Sequence, residues 1–270
     1  MNKTFYNLFL VLSLVSCSVF KPSALSNKLK PSDATFSYTD KNGQFELKLS
    51  SGFNKKKSFV TKRTLRIIDK EKENILEQSI ALSEIGVLKK KNLILRPSKS
   101  QYSVWFDGKK YFTQIILKPK KKLFEVKLES PEKQWNGTSQ IKIKNSKSLY
   151  CFFSQVIDCA KTIGFLSKAM KAKKGSLNMY VIWEGYPYLN EMYSNFTADI
   201  ISKAVLEYDG KTDKGEQRFS LNVVGQSIFY IIDDDEQMEK MFWVSQGLSV
   251  VDKALGDETD NSIDSGGNFE

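Results

Sequence analysis

The chain has 270 residues, with 41 Lys and Arg against 31 Asp and Glu, a formal charge of +10, and no histidine. Without imidazole, Ser-His-Asp and Cys-His catalysis are excluded, and a cysteine pair has nothing beside it to complete a metal site, so no metal or cofactor is expected. The charge is uneven: residues 53–147 carry 24 basic against 9 acidic side chains, net +15, whereas residues 148–270 carry 11 against 19, net −8.

At the amino terminus Lys3 precedes the apolar run from Phe5 to Ser13, which closes on Leu14-Val15-Ser16-Cys17. A basic residue, an apolar core too short for a membrane span, and small residues before the cut describe a secretory signal. The last four residues resemble the lipobox of bacterial lipoproteins. That resemblance implies cleavage before Cys17, acylation of Cys17, and a membrane partner reached through the lipid. Ser18, where an Asp would retain the chain at the inner membrane, implies the outer membrane. Two or more acyl chains anchor stably where one does not. The reading divides the chain into a signal over 1–16, a lipidated tether over 17–34, a β-rich domain over 35–252 with a sub-boundary near 150–175, and an acidic tail over 253–270. The tail is Ser/Gly-rich and nearly free of apolar residues over Asp257–Glu270, and is expected to be disordered.

Short alternating runs fill the domain. Phe36 and Tyr38 begin the first, and Phe45, Leu47 and Leu49 alternate with Glu46 and Lys48 as a half-buried strand. Phe59–Ile68 reads as a strand, and Ile75–Ile85 fits helix or strand, with its interspersed β-branched and polar residues and the following Gly86 favouring strand. Tyr102–Phe106 and Tyr111–Leu117 flank Asp107-Gly108, a strong hairpin signal. Leu123–Leu128 and Gln140–Lys144 follow, with Asn136-Gly137 as the turn between them. This is an antiparallel meander rather than a βαβ pattern. Val156–Lys174 has helical spacing, with Asp158 as its N-cap and Gly175 as its stop. Leu177–Trp183 returns to strand. Met192–Tyr208 alternates well but is long for a strand; as a helix it would align Phe196, Ile200 and Ala204. Arg218–Val224, Ser227–Ile232, Met238–Val244 and Leu248–Val251 complete a second meander. The fold class is therefore mainly β (α+β): an antiparallel meander forming a curved sheet or half-barrel with one central helix.

Cys151 and Cys159 fit one disulfide in an oxidising compartment. Eight residues of helix would hold their Cα atoms about 12 Å apart, and a disulfide spans at most about 7 Å. If the bond forms, Phe152–Asp158 is not one straight helix.

Three constellations invite chemistry. Asp233-Asp234-Asp235-Glu236 lacks calcium-loop spacing and reads as a turn. Asp209–Gly215 is a polar loop with neither a phosphate-binding nor a dinucleotide pattern. Trp183-Glu184-Gly185-Tyr186-Pro187-Tyr188 sets rings beside a carboxylate. Glu184 with Glu191 or Asp199 would supply the two acids of glycoside cleavage, and the alternative is a strand end running into a proline turn.

The layout from Phe36 to Val251 resembles periplasmic lipoprotein carriers and related half-barrel lipoproteins. The resemblance implies a concave sheet and covering helix that hold acyl chains, without enzymatic turnover. The ligand-binding candidates on such a face are Trp105, Phe112, Trp183, Tyr186, Phe196, Ile200 and Phe229. A basic half suits lipid headgroups, lipopolysaccharide or an acidic partner, or it merely solvates the outer face of the sheet. Nucleic acid is not expected for an exported chain. The alternatives are an assembly lipoprotein that binds envelope proteins or cell wall, and a glycan-acting enzyme.

Overall fold

A computed structural model describes residues 35–40, 43–68, 73–88, 92–106, 108–133, 136–145, 147–192 and 196–253. The expected lipobox with Cys17, the expected tether over 17–34 and the expected acidic tail from residue 254 onward lie outside these residues.

The described strands are β1 (Thr35–Thr39), β2 (Phe45–Phe53), β3 (Phe59–Ile68), β4 (Glu73–Leu88), β5 (Asn92–Phe106), β6 (Lys109–Lys118), β7 (Leu123–Glu129) and β8 (Gly137–Lys142), followed by β9 (Tyr150–Phe152), β10 (Ser176–Ile182), β11 (Ile201–Lys211), β12 (Gln217–Val223), β13 (Gln226–Ile232), β14 (Met238–Trp243) and β15 (Leu248–Asp252). All belong to one sheet, in the order β8-β7-β6-β5-β4-β3-β2-β1-β15-β14-β13-β12-β11-β10-β9. Neighbours are antiparallel except β9 and β10, which run parallel. Each half of the chain is thus one wall, and the walls join where β1 meets β15, with Tyr38 opposite Asp252 and Thr39 opposite Val251. Residues 35–142 build the first wall and residues 150–252 the second, so the strongly basic stretch of the sequence falls on one wall of the sheet.

Topology forces the sheet to curl. Its outermost strands, β8 and β9, are consecutive in the chain and separated by only seven residues, 143–149. Laid flat, fifteen strands would span roughly 70 Å at the usual strand spacing, whereas seven residues reach at most about 25 Å. Register shifts at Leu65/Arg66, Leu82/Ser83, Tyr208/Gly210 and Ile231/Ile232 help supply the bend, since a bulge increases local twist. The result is a curved, unclosed antiparallel sheet with a seam between β8 and β9.

The expected central helix is broken. A 3-10 turn, Phe153–Gln155, leads into α1 (Val156–Thr162), and α2 (Phe165–Ala172) follows. Gly164, at φ 71°, separates the two helices in a conformation that a side chain rarely adopts. Asp158 sits inside the first turn of α1 rather than at its N-cap, which is Gln155, and α2 ends at Lys173 in the left-handed region, before Gly175. The disulfide explains the break before α1. Cys151 and Cys159 are joined with their Cα atoms 6.5 Å apart, a separation that the strand, 3-10 turn and helix sequence permits and a continuous helix would not.

The long alternating run 192–208 resolves differently from either reading. α3 (Tyr188–Met192) precedes it, residues 196–200 are irregular, and only from Ile201 does the chain join the sheet as β11. The alternation is nevertheless kept: Phe196, Ala198, Ile200, Ser202, Ala204 and Leu206 are buried, while Thr197, Asp199 and Lys203 are exposed. Gly137 lies within β8 rather than in the preceding turn. Asp233–Glu236 is the β13–β14 turn, closed by Asp233 and Gln237, and no group of three or more metal-ligating side chains occurs among the described residues. No described helix is long and apolar enough to cross a membrane.

The concave face is not an open bowl. Val156, Cys159 and Ala160 of α1, with Leu166 and Ala169 of α2, share one buried core with Phe59, Leu65 and Leu95 of the first wall and with Phe219, Leu221, Ile228, Tyr230 and Trp243 of the second. Phe152 packs with Ala81, Ile115, Phe124 and Val126 of the first. Gln155, fully buried, donates to the Ala81 carbonyl and to Thr61 Oγ1 at 3.2 Å each and accepts from Ser83 Oγ at 2.6 Å. A buried amide is retained only where its groups are paired, and here it ties the turn before α1 to the first wall.

Candidate binding cleft at the seam of the sheet

The sequence candidates fall into three places. Trp183 and Phe196 are core. With Phe153 and Trp243 they form a ring cluster at centroid distances of 4.5–6.2 Å. Trp183 donates Nε1–H to Ser202 Oγ at 3.2 Å, and Trp243 donates to Gln226 Oε1 at 2.6 Å, so both indoles are buried with their polar edges paired. Trp105, Phe112 and Phe229 alternate with inward-facing Val104, Tyr111 and Ile228 and therefore lie on the outer face. There Lys110 Nζ stands 5.2 Å over the Trp105 ring and Arg218 Cζ stands 5.9 Å over Phe229. These five do not line a common concavity. Tyr186 and Ile200 do share one, described below.

Glu184 is 4% exposed. Its carboxylate accepts from the backbone N–H of Phe153 at 3.1 Å, from the N–H of Ser154 at 3.2 Å and from the Ser154 hydroxyl. Burial pushes its pKa up, and Ser154 opposes that shift. The carboxylate thereby closes the start of the 3-10 turn, satisfying N–H groups that a helical terminus leaves open. The void beside it is about 20 Å³, also lined by Arg63, Glu77 and Tyr102. That is room for one water, and no sugar ring fits there. Glu77 is held by Arg63 and by the Tyr102 hydroxyl at 2.5 Å. Asp199 is exposed, on the irregular segment beyond the ring cluster. The side chain of Glu191 lies outside the described residues.

The segment after Trp183 is a strap across the seam. Tyr186 offers its carbonyl to the Thr113 hydroxyl at 2.8 Å, Tyr188 packs on Tyr111 at 4.9 Å, and the Tyr188 hydroxyl reaches the Glu129 carbonyl at 3.3 Å. Gly185 is required where the strap crosses: a Cβ there would meet Leu189 Cγ and Tyr102 Cζ at 2.8 Å.

Open clefts run along this seam. One of about 610 Å³ is lined by Ile141 and Lys142 of β8, Tyr150, Tyr180, Tyr186, Ile200 and Lys203. A second, about 660 Å³, shares Tyr180 and Lys203 with it and extends over Leu149, Ile163 and Met179. A third, about 250 Å³, shares Tyr150 with the first and adds Leu117, Phe124 and Ile143. Tyr150 and Tyr180 stack at 4.9 Å and 13° as the common floor, and burial raises the pKa of Tyr150. Sites for small ligands are concave, largely apolar and carry a few polar groups at the rim; the first cleft has that make-up.

Sequence reasoning missed Ile141, Tyr150 and Tyr180. Tyr150 and Tyr180 come together through the parallel β9–β10 pair, in which they are direct partners, and the alternation of one strand does not reveal a parallel neighbour.

No family model matches this chain, and no curated protein does. Among solved structures it is similar to the beta-barrel-like protein of domain of unknown function DUF1849 from Brucella abortus, at 12% identity and a TM-score of 0.39, over 81% of this chain and 92% of that one.

Proposed function

We propose that this is an exported, non-enzymatic outer-membrane lipoprotein, fastened through Cys17, that binds a lipid or other amphiphile along the seam of its sheet rather than in the bowl. The observation that carries the reading is the contrast between the void of about 20 Å³ beside Glu184 and the cleft of about 610 Å³ at the seam, where tyrosine and isoleucine side chains form the walls. An acyl chain gains roughly 0.8 kcal/mol for each methylene removed from water, and the seam offers apolar surface for it. The lipobox supports the anchor. The Cys151–Cys159 disulfide suits a compartment outside the cytoplasm.

The test is native mass spectrometry and lipid extraction of the full chain carrying Cys17→Ser, purified from the envelope. A co-purifying amphiphile that is lost on Tyr180→Asp is the expected result. A stoichiometric envelope protein with no extractable lipid would instead establish the assembly role and end the amphiphile reading.

A further inference from the structure

Six cations gather around the seam clefts, whereas many of the molecule's other cations are ion-paired and the unpaired ones are scattered over the surface. Away from the seam, Arg63 pairs with Glu77, Arg66 and Lys253 with Glu46, Lys109 with Glu132, Lys118 with Glu125, Lys127 with Glu129, and Lys240 with Glu216. Lining the seam clefts are Arg96, Lys122, Lys142, Lys144, Lys147 and Lys203, against one acid, Asp199. All six cations are exposed, and none forms an ion pair with a described residue. Like charges gathered around low-dielectric walls create a positive potential that concentrates anions. Three of them, Lys142, Lys144 and Lys203, line the 610 Å³ cleft together. They approach from the two sides of the seam: the first two from β8 and the residues after it, the third from β11.

From this we infer that the cleft takes an anionic amphiphile, its phosphate or carboxylate head held by Lys142, Lys144 and Lys203 and its apolar body laid over Tyr150, Tyr180 and Ile200. The inference rests on the amphiphile reading above and adds the charge of the head. A neutral head would leave the cations unrelieved. A free phosphate would satisfy them but make no use of the aromatic floor.

Binding of dodecyl phosphate, laurate, dodecyl maltoside and inorganic phosphate to the full chain carrying Cys17→Ser tests it by titration calorimetry below micelle concentrations. The expected result is a preference of about tenfold or more for dodecyl phosphate and laurate over the maltoside at low salt, or about 1.4 kcal/mol. Screening at high salt shrinks that preference, and inorganic phosphate binds far more weakly than dodecyl phosphate. The variant Lys142→Gln/Lys144→Gln/Lys203→Gln loses the preference but still binds dodecyl maltoside. The control Lys55→Gln/Lys56→Gln/Lys62→Gln, on the same basic wall, keeps it. Equal affinity for charged and neutral dodecyl compounds would overturn the head-group assignment and leave the amphiphile reading standing. Phosphate binding as tightly as dodecyl phosphate would show an anion site alone and overturn the assignment. Failure to bind any dodecyl compound would remove both. Circular dichroism of each variant separates lost binding from lost fold, and a preference that survives in a folded triple variant counts against the three lysines.

Discussion

The inside of the curl and the seam between its edges are built on opposite rules. Inside, rings interlock, and the buried polar groups have assigned roles: Gln155 ties the turn before α1 to the first wall, Glu184 closes the turn, and Arg63 neutralises Glu77. At the seam, apolar surface stays open and the cations have no acidic partner among the described residues. Burying a charge is tolerated only with a partner in place, so the interior spends its polar side chains on holding the two walls together. Solvent screens the seam cations and lets them remain unpaired. The difference teaches that a sheet too wide to lie flat and not quite closed has its usable concavity at the closure point, because the middle is filled by the connection between its halves.

The largest expected effect tests whether the interior is packing. Trp183→Ala should cost about 3–5 kcal/mol in chemical denaturation, because it empties the centre of the four-ring cluster. A variant nearly as stable as the parent would mean that the interior is loosely held and the comparison is wrong. Next, removing the disulfide with Cys151→Ser/Cys159→Ser should lower stability by about 2–3 kcal/mol, the chain-entropy value for so short a loop. Affinity at the seam should change less than stability, since the bond lies behind the cleft floor. If binding is lost in a variant that remains folded, the turn before α1 shapes the seam as well.

A pH titration sharpens the contrast further. Burial pushes Asp158 up from 3.8 to about 7, against the attraction of Lys161 and a hydrogen bond from Ser51. The folded value is the raised one, so the folded state holds a proton that the unfolded chain releases earlier. The contribution of Asp158 to stability is therefore fully present below about pH 4 and falls as the pH rises towards 7, by at most about 1.4 kcal/mol per pH unit. Asp158→Asn should flatten that part of the profile. Glu184, raised in the same direction, keeps the remainder, so an unchanged slope in Asp158→Asn would assign the titration elsewhere. The smallest effect belongs to the seam: Lys142→Gln and Lys203→Gln should each change stability by no more than about 0.5 kcal/mol. A loss well beyond that would show that these lysines support the fold and are not held for a ligand.

Much of the first wall was readable because alternation survives wherever one face is buried. Phe59–Ile68 is β3 to the residue, and the β5–β6 hairpin follows the expected turn. The cysteine pair was readable from its number, and reach alone gave the limit that a bond between the two sets on a straight helix. Two things were not. Gly164 interrupts a helical pattern that side-chain periodicity carries straight through. The run 192–208 keeps a buried face without pairing along its first part, because burial against the ring cluster imposes the same period as a strand. The candidate residues were chosen for their aromatic character, and alternation alone would have set Trp105 apart from Val104 and Phe112 apart from Tyr111.

The sequence by itself determined the strands, their inward faces, the cysteine pair and the division into a basic and an acidic half. Each depends on neighbours within a few residues, or on a simple limit of distance. Only the tertiary structure decided that β1 meets β15, that the bowl is filled, and that the outermost strands stop short of one another. Those depend on contacts between residues far apart in the chain, where the reach of seven linking residues and the volume of a buried helix set the shape.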